Sequence, residues 1–344
     1  MKILIIKRDK LGDLLLATPM LRHVRASLPH AEIHLLANDY NAWVVDANTD
    51  IDRRWIYRRA RHGGRLSLTA ALQNVGQAFS IRRTGFDWVI VANGEDSPRA
   101  TARGLAAGGA NCVAYSSDAH RYPRLSHALR VRNDLHETER MLAMLEPIGI
   151  HLPPEPGYPT FNLPPEAAAF AKGWLSKTGL AHGKYLVLGL GARRAKKQPS
   201  TQQVLRWCSH FKSVWGLDTV FMWTPGKTAN KLYPGDDDVA QPVLDAHMPH
   251  IHPYRGPIRE ALGLIWSAKT SIIPDSGLMH FAAASPGGVL GLFAETDVSP
   301  SPVQWGPRGR RAGYLEARKS VDELPDDLVF ERLAPFATSA SHHI

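Results

Sequence analysis

The 344-residue sequence predicts an α/β protein of two domains, each built on a parallel sheet with helices on both sides. Three features point there. Short aliphatic runs of strand length recur through the chain. Stretches whose apolar residues fall three and four apart lie between them. Seven prolines between residues 147 and 165 then divide the chain into halves of similar size, since such segments run as extended connectors. The expected boundaries are a first domain over residues 1–160, a second over 161–325, and a C-terminal helix or tail over 326–344 that packs back on the first domain.

The first run, residues 3–7 (ILIIK), is β-branched and aliphatic, as a strand buried on both faces requires. A polar turn follows over residues 8–12, and Leu14, Ala17, Leu21, Val24 and Leu28 then lay one apolar stripe along a helix. Pro19 should kink that helix or mark its first turn, and Pro29 should close it. Residues 32–37 (EIHLLA) read as a second strand, completing a βαβ unit. Residues 88–92 (WVIVA) read as another strand, and residues 137–148 as a helix through Met141, Leu142, Met144, Leu145 and Ile148. Beyond the prolines come strands at 185–190 (YLVLGL), 219–223 (TVFMW), 270–274 (TSIIP) and 289–293 (VLGLF). Ligands of such sheets bind outside the carboxyl ends of the strands, so the residues just after each strand are the ones to search.

Composition narrows the function. A hydrophobic share of 44% with 21% charged residues is that of a globular chain with a real core. Cys112 and Cys208 lie too far apart, and in surroundings too unlike, for a disulfide framework or a thiolate zinc site, and this usage suits a reducing cytosol. The apolar run near the N-terminus is too short for a secretory signal core, and no stretch approaches the roughly 18 apolar residues of a membrane span. The expected location is therefore cytoplasmic, with any membrane contact made from the surface. A net charge of +9 favours anionic partners, among them nucleic acid, acidic lipid and phosphorylated glycan, without choosing between them.

Three strand-following segments carry candidate chemistry. In the first, Gly12 permits a close backbone turn and Asp13 opens a helix. Asp13 is either a carboxylate facing the ligand crevice or an N-terminal helix cap. In the second, Asp275, Ser276 and Gly277 turn into a small-residue helix through Leu278, Met279 and His280. The amides and dipole of such a helix start hold phosphate; the plainer alternative is a capped helix with His280 in the core. In the third, Gly189 and Gly191 precede Arg193, Arg194, Lys196 and Lys197, cations able to neutralise a diphosphate leaving group or simply to face solvent. Neither a GxGxxG nor a Walker spacing is met.

Arg53, Arg54, Arg58, Arg59 and Arg61, with Arg65 beyond, interleave with Trp55, Ile56 and Tyr57. An anionic acceptor or a membrane surface fits such a segment as well as nucleic acid does, no nucleic-acid motif accompanies it, and a solvated loop fits better still. His247, His250 and His252 cluster among prolines in what reads as a loop, with no HExxH and no cysteine pair, so no metal site is expected.

Taken together, these segments resemble glycosyltransferase family 9, the ADP-heptose lipopolysaccharide heptosyltransferases, over most of the chain. The family's opening strand, GD turn and helix with a TP pair match Gly12, Asp13, Thr18 and Pro19. Its D-[ST]-G-x-x-H-x-A-A motif matches residues 275–284, its "yDlvi" strand matches residues 86–90 (FDWVI), and its helix ahead of the linker matches residues 136–140 (HETER). The resemblance implies a GT-B fold, two Rossmann-like domains with parallel sheets facing across a cleft, with the acceptor on the N-terminal side and the nucleotide sugar on the C-terminal side. The family's catalytic aspartate falls on Asp13. Its phosphate-binding lysine falls best on Lys196, because Pro199 then keeps register, with Lys197 open because Gln198 stands where an aromatic is usual. The donor-phosphate set implied is completed by Gly12, Asp275, Ser276, Gly277, Leu278, Met279 and His280, with the arginines of residues 53–61 on the acceptor side. Residues 223–227 depart from the family pattern, so base and ribose recognition are not assigned.

The activity implied is inverting transfer of heptose from ADP-heptose to a lipopolysaccharide core acceptor, with the nucleotide sugar as co-substrate and no other cofactor required. Its setting is the cytoplasmic face of the inner membrane, and its partners are a nucleotide sugar and an anionic glycolipid rather than nucleic acid. Three readings compete: a transferase using another nucleotide sugar, such as an N-acetylglucosamine donor; a GT-B-like sugar-nucleotide epimerase, which needs only the donor; and a non-catalytic polyanion-binding protein.

Overall fold

Parallel pairing of the aliphatic runs builds both halves of the chain, as a computed structural model shows. It describes residues 1–59, 61–62, 65–191, 194–227, 229–230, 235–297 and 301–339, with the backbone alone at 61, 62, 65, 66 and 119. Two compact units divide between Asn162 and Leu163, the first being Met1–Asn162 and the second Leu163–Ile344.

In the first unit, strands β1 (Lys2–Ile6), β2 (Glu32–Asn38), β3 (Arg53–Tyr57), β6 (Trp88–Val91), β7 (Asn111–Tyr115) and β8 (His127–Leu129) form one sheet in the order β3-β2-β1-β6-β7-β8. Every pairing is parallel, with Ile3 opposite both Ile33 and Trp88. A short antiparallel hairpin, β4 (Arg61–His62) with β5 (Arg65–Leu66), stands apart. Helices α1 (Leu11–Leu15), α2 (Thr18–Ser27), α3 (Leu68–Thr84), α4 (Pro98–Ala107) and α5 (Glu137–Ala143) make the connections. Ile3, Leu4 and Ile5 are fully buried, which is why β1 carries no alternation: both of its faces meet core.

The second unit repeats the design. Strands β9 (Tyr185–Gly189), β10 (Asp218–Met222), β11 (Ile251–Tyr254), β12 (Thr270–Pro274), β13 (Val289–Ala294) and β14 (Ala312–Ala317) lie in the order β11-β10-β9-β12-β13-β14, again all parallel. Helices α6 (Pro165–Thr178), α7 (Thr201–Trp215), α8 (Asp237–Asp245), α9 (Ile258–Ser267), α10 (Gly277–Ala284), α11 (Pro302–Trp305) and α12 (Asp326–Thr338) surround it. Counted within each unit, both sheets run 3-2-1-4-5-6, the nucleotide-binding order, and strand order reverses between the first and fourth strands. The crevice at each reversal opens beyond the carboxyl ends of β1 and β6, and of β9 and β12.

Several sequence expectations change in detail. The single helix expected over residues 14–28 is two: α1 ends at Leu15, Thr18 Oγ1 bonds the Leu15 carbonyl at 2.8 Å, and α2 starts with Pro19 in its first turn. The helix expected to reach Ile148 ends at Ala143, with a 3₁₀ turn at Glu146–Ile148 around Pro147. The arginine-rich segment read as a solvated loop is in part the edge strand β3, held by buried Trp55, whose Nε1 donates to His34 Nδ1 at 3.1 Å. The loop histidines are partly strand as well, since β11 includes His252. Of the C-terminal tail expected over residues 326–344, Val329, Leu333 and Ala337 of α12 join the core of the second unit, because burying that apolar face beside α7 and β13 removes it from water. Residues 340–344 lie outside the described residues.

Close packing of α9 on α6 depends on a glycine. A Cβ on Gly263 of α9 would stand 2.1 Å from the Ala167 carbonyl oxygen of α6. Gly263→Ala should therefore lower stability by about 1–3 kcal/mol through overpacking, read as a lower urea midpoint. A midpoint unchanged from wild type would show that α6 and α9 do not approach this closely.

Candidate functional site

In the first unit the chemistry gathers where β1 ends. Lys7 is only 1% exposed, and its amide still donates to the Leu36 carbonyl at 3.0 Å, as a continuation of the sheet. Its ammonium lies 3.2 Å from Asp9 Oδ2 and 3.6 Å from Glu137 Oε1. Burial alone would lower the Lys7 pKa, but the carboxylates of Asp9, Glu137 and Asp13 outweigh it and hold the amine above its usual range. Glu137, at the start of α5, also accepts the Gly94 amide at 3.0 Å. A Cβ on Gly94 would fall 2.1 Å from the Glu137 carboxylate, so only glycine fits beside it.

Three asparagines pin the loop that follows. Asn38 Nδ2 bonds the Arg8 carbonyl at 2.6 Å, Asn41 Nδ2 reaches the Asp9 carbonyl at 3.3 Å, and Asn93 Nδ2 donates to Asp9 Oδ2 at 3.1 Å. The loop delivers Gly12, buried in the first turn of α1, and Asp13, partly buried beside it. Asp13 Oδ2 accepts the Lys10 amide at 2.9 Å, which orients the carboxylate. Among the described residues Oδ1 holds no hydrogen bond. Capping thus engages only one of the two carboxylate oxygens. Glu95, just beyond β6, has its pKa raised by partial burial and then by Glu137 and Asp9.

The predicted acceptor-side arginines divide. Arg58 and Arg59 follow the carboxyl end of β3, on the same side of the sheet as Asp13, and Arg59 Nε pairs with Asp39 at 3.0 Å. Arg53 and Arg54 occupy the amino end of β3, away from the loop after β1. Arg53 stacks over Trp55 and Arg54 pairs with Asp46. The side chain of Arg61 lies outside the described residues. Arg8, which the sequence reading passed over, stacks on the Tyr57 ring with its guanidinium carbon 3.4 Å from the centroid. Burial, and then the neighbouring Arg103, lower its pKa to about 10.

The second unit places its candidates at the matching reversal. β12 ends at Pro274, Asp275 follows, and α10 starts at Gly277. Ser276 is the N-cap residue, yet no side chain caps the helix, and the buried Ser276 Oγ has no hydrogen-bond partner among the described residues. Lys197, in a 3₁₀ turn over Ala195–Lys197, is buried and pairs with Asp275. Lys196, the lysine favoured by motif register, points outward instead and bonds Glu295 at 2.7 Å with 60% of its side chain exposed. One step along a 3₁₀ turn rotates a side chain by about 120°, so adjacent lysines look in different directions. Met279 is fully buried and His280 is 5% exposed, while Leu278 is partly buried and Gly277 is exposed. Arg193 lies outside the described residues.

Farther out, Asp236 accepts from Gln198 Nε2 and, at 2.7 Å, from the Thr224 amide. Its pKa is raised by burial. Asp237 holds Trp223 Nε1 at 3.0 Å and the Gly226 amide at 2.8 Å. A hollow of about 480 Å³ opens beside this turn, lined in part by Trp223, Lys227, Gln241 and Arg255. Among the described residues no group of three His, Cys, Asp or Glu side chains could hold a metal, and no helix is long and apolar enough to cross a membrane.

Sequence reasoning missed Lys7, Asp9, Glu95, the three asparagines and the site role of Glu137. A lysine directly after four aliphatic residues was the one available signal, because a strand end buried on both faces forces such a cation to find carboxylates. Lys7→Met should cost about 3–5 kcal/mol, the penalty for stranding buried carboxylates, and adding Glu137→Gln should recover part of it. Because the folded-state pKa of Lys7 is raised, its contribution is fully present below the unfolded value near 10.5 and is lost as pH climbs through the raised value. Chemical denaturation from neutral to alkaline pH checks both; equal stability of wild type and Lys7→Met at pH near neutrality would contradict the pairing.

A family model for glycosyltransferase family 9 (heptosyltransferase) matches residues 255–323, a span that includes β12, the Asp275 turn and α10. No curated protein matches the chain. Solved structures match nearly end to end. A family 9 glycosyl transferase from Veillonella parvula superposes with a TM-score of 0.79 at 18% identity, over 98% of this chain and 97% of its own. E. coli heptosyltransferase WaaC, solved with ADP, gives 0.74 at 16% identity over 98% of this chain and 100% of its own. E. coli ADP-heptose lipopolysaccharide heptosyltransferase II gives 0.72 at 17% identity, over 98% of each chain. These structures establish the GT-B architecture for this chain.

Proposed function

We propose that this chain, a glycosyltransferase of family 9, transfers a heptose from ADP-heptose to an anionic lipopolysaccharide core acceptor at the cytoplasmic face of the inner membrane. The observation that carries the reading is the uncapped start of α10 beside the Lys197–Asp275 pair, within the segment the family model matches. A helix start aims its first amides and the positive end of its dipole at an anion, and a neighbouring ammonium suits a diphosphate. E. coli WaaC was solved with ADP and with ADP-2-deoxy-2-fluoro heptose, which supports ADP as the nucleotide here.

The reaction is a single displacement with inversion. An acceptor hydroxyl oxygen attacks the anomeric carbon, the bond from that carbon to the diphosphate oxygen breaks, and ADP leaves with the electron pair. Asp13 Oδ1 takes the hydroxyl proton, while the bond from the Lys10 amide holds the other carboxylate oxygen in place. Lys197 and the first amides of α10 stabilise charge growing on the departing diphosphate. Lys197 takes the role that motif register gave to Lys196.

Asp13→Asn should bind ADP like wild type and lose about 10²- to 10⁴-fold in turnover, the usual worth of a general base; retention of a tenth of wild-type turnover would remove Asp13 from this role. Lys197→Ala should lower kcat and weaken ADP binding while Lys196→Ala changes either only slightly, and the reverse order would return the phosphate to Lys196. In a thermal-shift panel of nucleotides and nucleotide sugars, ADP and ADP-sugars should raise the transition. A preference for UDP or GDP would overturn the donor assignment.

A further inference from the structure

Helix α3 turns its apolar side away from the protein. At 100° per residue, Leu68, Leu72, Val75 and Phe79 fall on one stripe, and they are 60 to 72% exposed. On the inward side only Ala70 and Ile81 are buried. The inward contacts are largely polar: Asn74 exchanges hydrogen bonds with the Arg58 amide and carbonyl at 2.9 and 2.7 Å, and Gln77 Nε2 donates to the Ile56 carbonyl at 3.0 Å. These bonds to the edge strand β3 set the rotation of the helix, so the exposure of the stripe follows from the packing. Ordinary surface helices are arranged the other way round.

The charge around the stripe is one-sided. Residues 53–84 contain eight arginines and no aspartate or glutamate. Arg82 and Arg83 are exposed in the last turn of α3, and the Arg83 guanidinium carbon lies 5.5 Å from the centre of the Phe79 ring. Arg58, also exposed, stands at the end of β3 to which the helix is tied.

We propose that the outward face of α3, with its flanking arginines, docks the protein on an anionic lipid surface. Leu68, Leu72, Val75 and Phe79 would enter the boundary between headgroups and acyl chains, and the guanidiniums would meet lipid phosphates, as interfacial amphipathic helices do. A second copy of the chain fits the face less well, because a two-fold contact would bring the exposed Arg82 and Arg83 of one copy toward those of the other, and α3 itself carries no acidic residue to offset them. The inference stands whether or not the glycosyltransferase donor is ADP-heptose, since vesicle binding is read without turnover.

The test is flotation of the full chain with vesicles of phosphatidylcholine alone and of phosphatidylcholine mixed with phosphatidylglycerol. Binding should require the anionic lipid and weaken with salt. Leu72→Gln with Phe79→Gln should reduce the vesicle-bound to free ratio about tenfold or more, with an unchanged thermal transition because both side chains already face solvent. Arg82→Gln with Arg83→Gln should weaken binding to anionic vesicles at low salt. The proposal fails if wild type does not float with anionic vesicles, or if the Leu72→Gln, Phe79→Gln variant floats as wild type does. It fails equally if sedimentation velocity finds a dimer that this variant dissociates, which would make the face a contact between copies.

Discussion

A protonated amine almost out of reach of water stands at the end of the first strand, and the loop carrying Asp13 is arranged around it. Leaving such a charge unpaired would cost several kcal/mol, so Asp9 and Glu137 must come to Lys7. Each then fixes something else. Asp9 is bonded by Asn93 beyond β6, and Glu137 holds the Gly94 amide, which ties the ends of β1 and β6 to the start of α5. A buried ion pair of this sort is poor evidence of net stability, because hydrophobic replacement often does as well. What it specifies is geometry: few loop conformations bring two carboxylates to one ammonium, and those that do set where Asp13 stands.

The second unit solves a related problem at the same topological place. Lys197 reaches the carboxyl end of β12 and pairs with Asp275, as Lys7 pairs near the carboxyl end of β1. The difference lies in the helix that follows. The first turn of α1 carries its own carboxylate, Asp13, which accepts the Lys10 amide. The start of α10 has no side-chain cap. Helix starts carry a partial positive charge of about half a proton, so the first unit meets that charge with its own carboxylate and the second leaves it open to an anion. One fold, used twice, therefore places a carboxylate in the first turn of the helix in one copy and none in the other.

The strands visible in the sequence are the central ones. β1, β2, β6, β9, β10, β12 and β13 are aliphatic because core lies on both faces. The outer strands were not visible: β3 begins with two arginines, β11 contains Pro253 and β14 contains Gly313, all tolerated where one edge needs no partner. Asp13 and the Asp275 turn stood out in the sequence because each lies between a readable strand and the helix that follows it. Lys7 with Glu137 did not, since its partners come from segments far apart in the chain and no local pattern joins them. Which of Lys196 and Lys197 turns inward was not legible for a different reason. Motif register counts residues, whereas a 3₁₀ turn decides which of two neighbours faces inward.

Hydrophobic periodicity has a further blind spot, and α3 exposes it. Leucine, leucine, valine and phenylalanine at spacings of four, three and four are the pattern of a helix lying on a core, and periodicity carries no label for the side on which the core lies. Asn74 and Gln77 supply that label, because their bonds to β3 turn the stripe outward. The cost of leaving four large apolar side chains in water is offset only if something apolar covers them. The one-signed charge of residues 53–84, eight arginines and no acidic residue, says what that cover would carry: a surface of negative charge over an apolar interior describes a bilayer leaflet rich in acidic lipid more closely than it describes the polar rim of a protein partner.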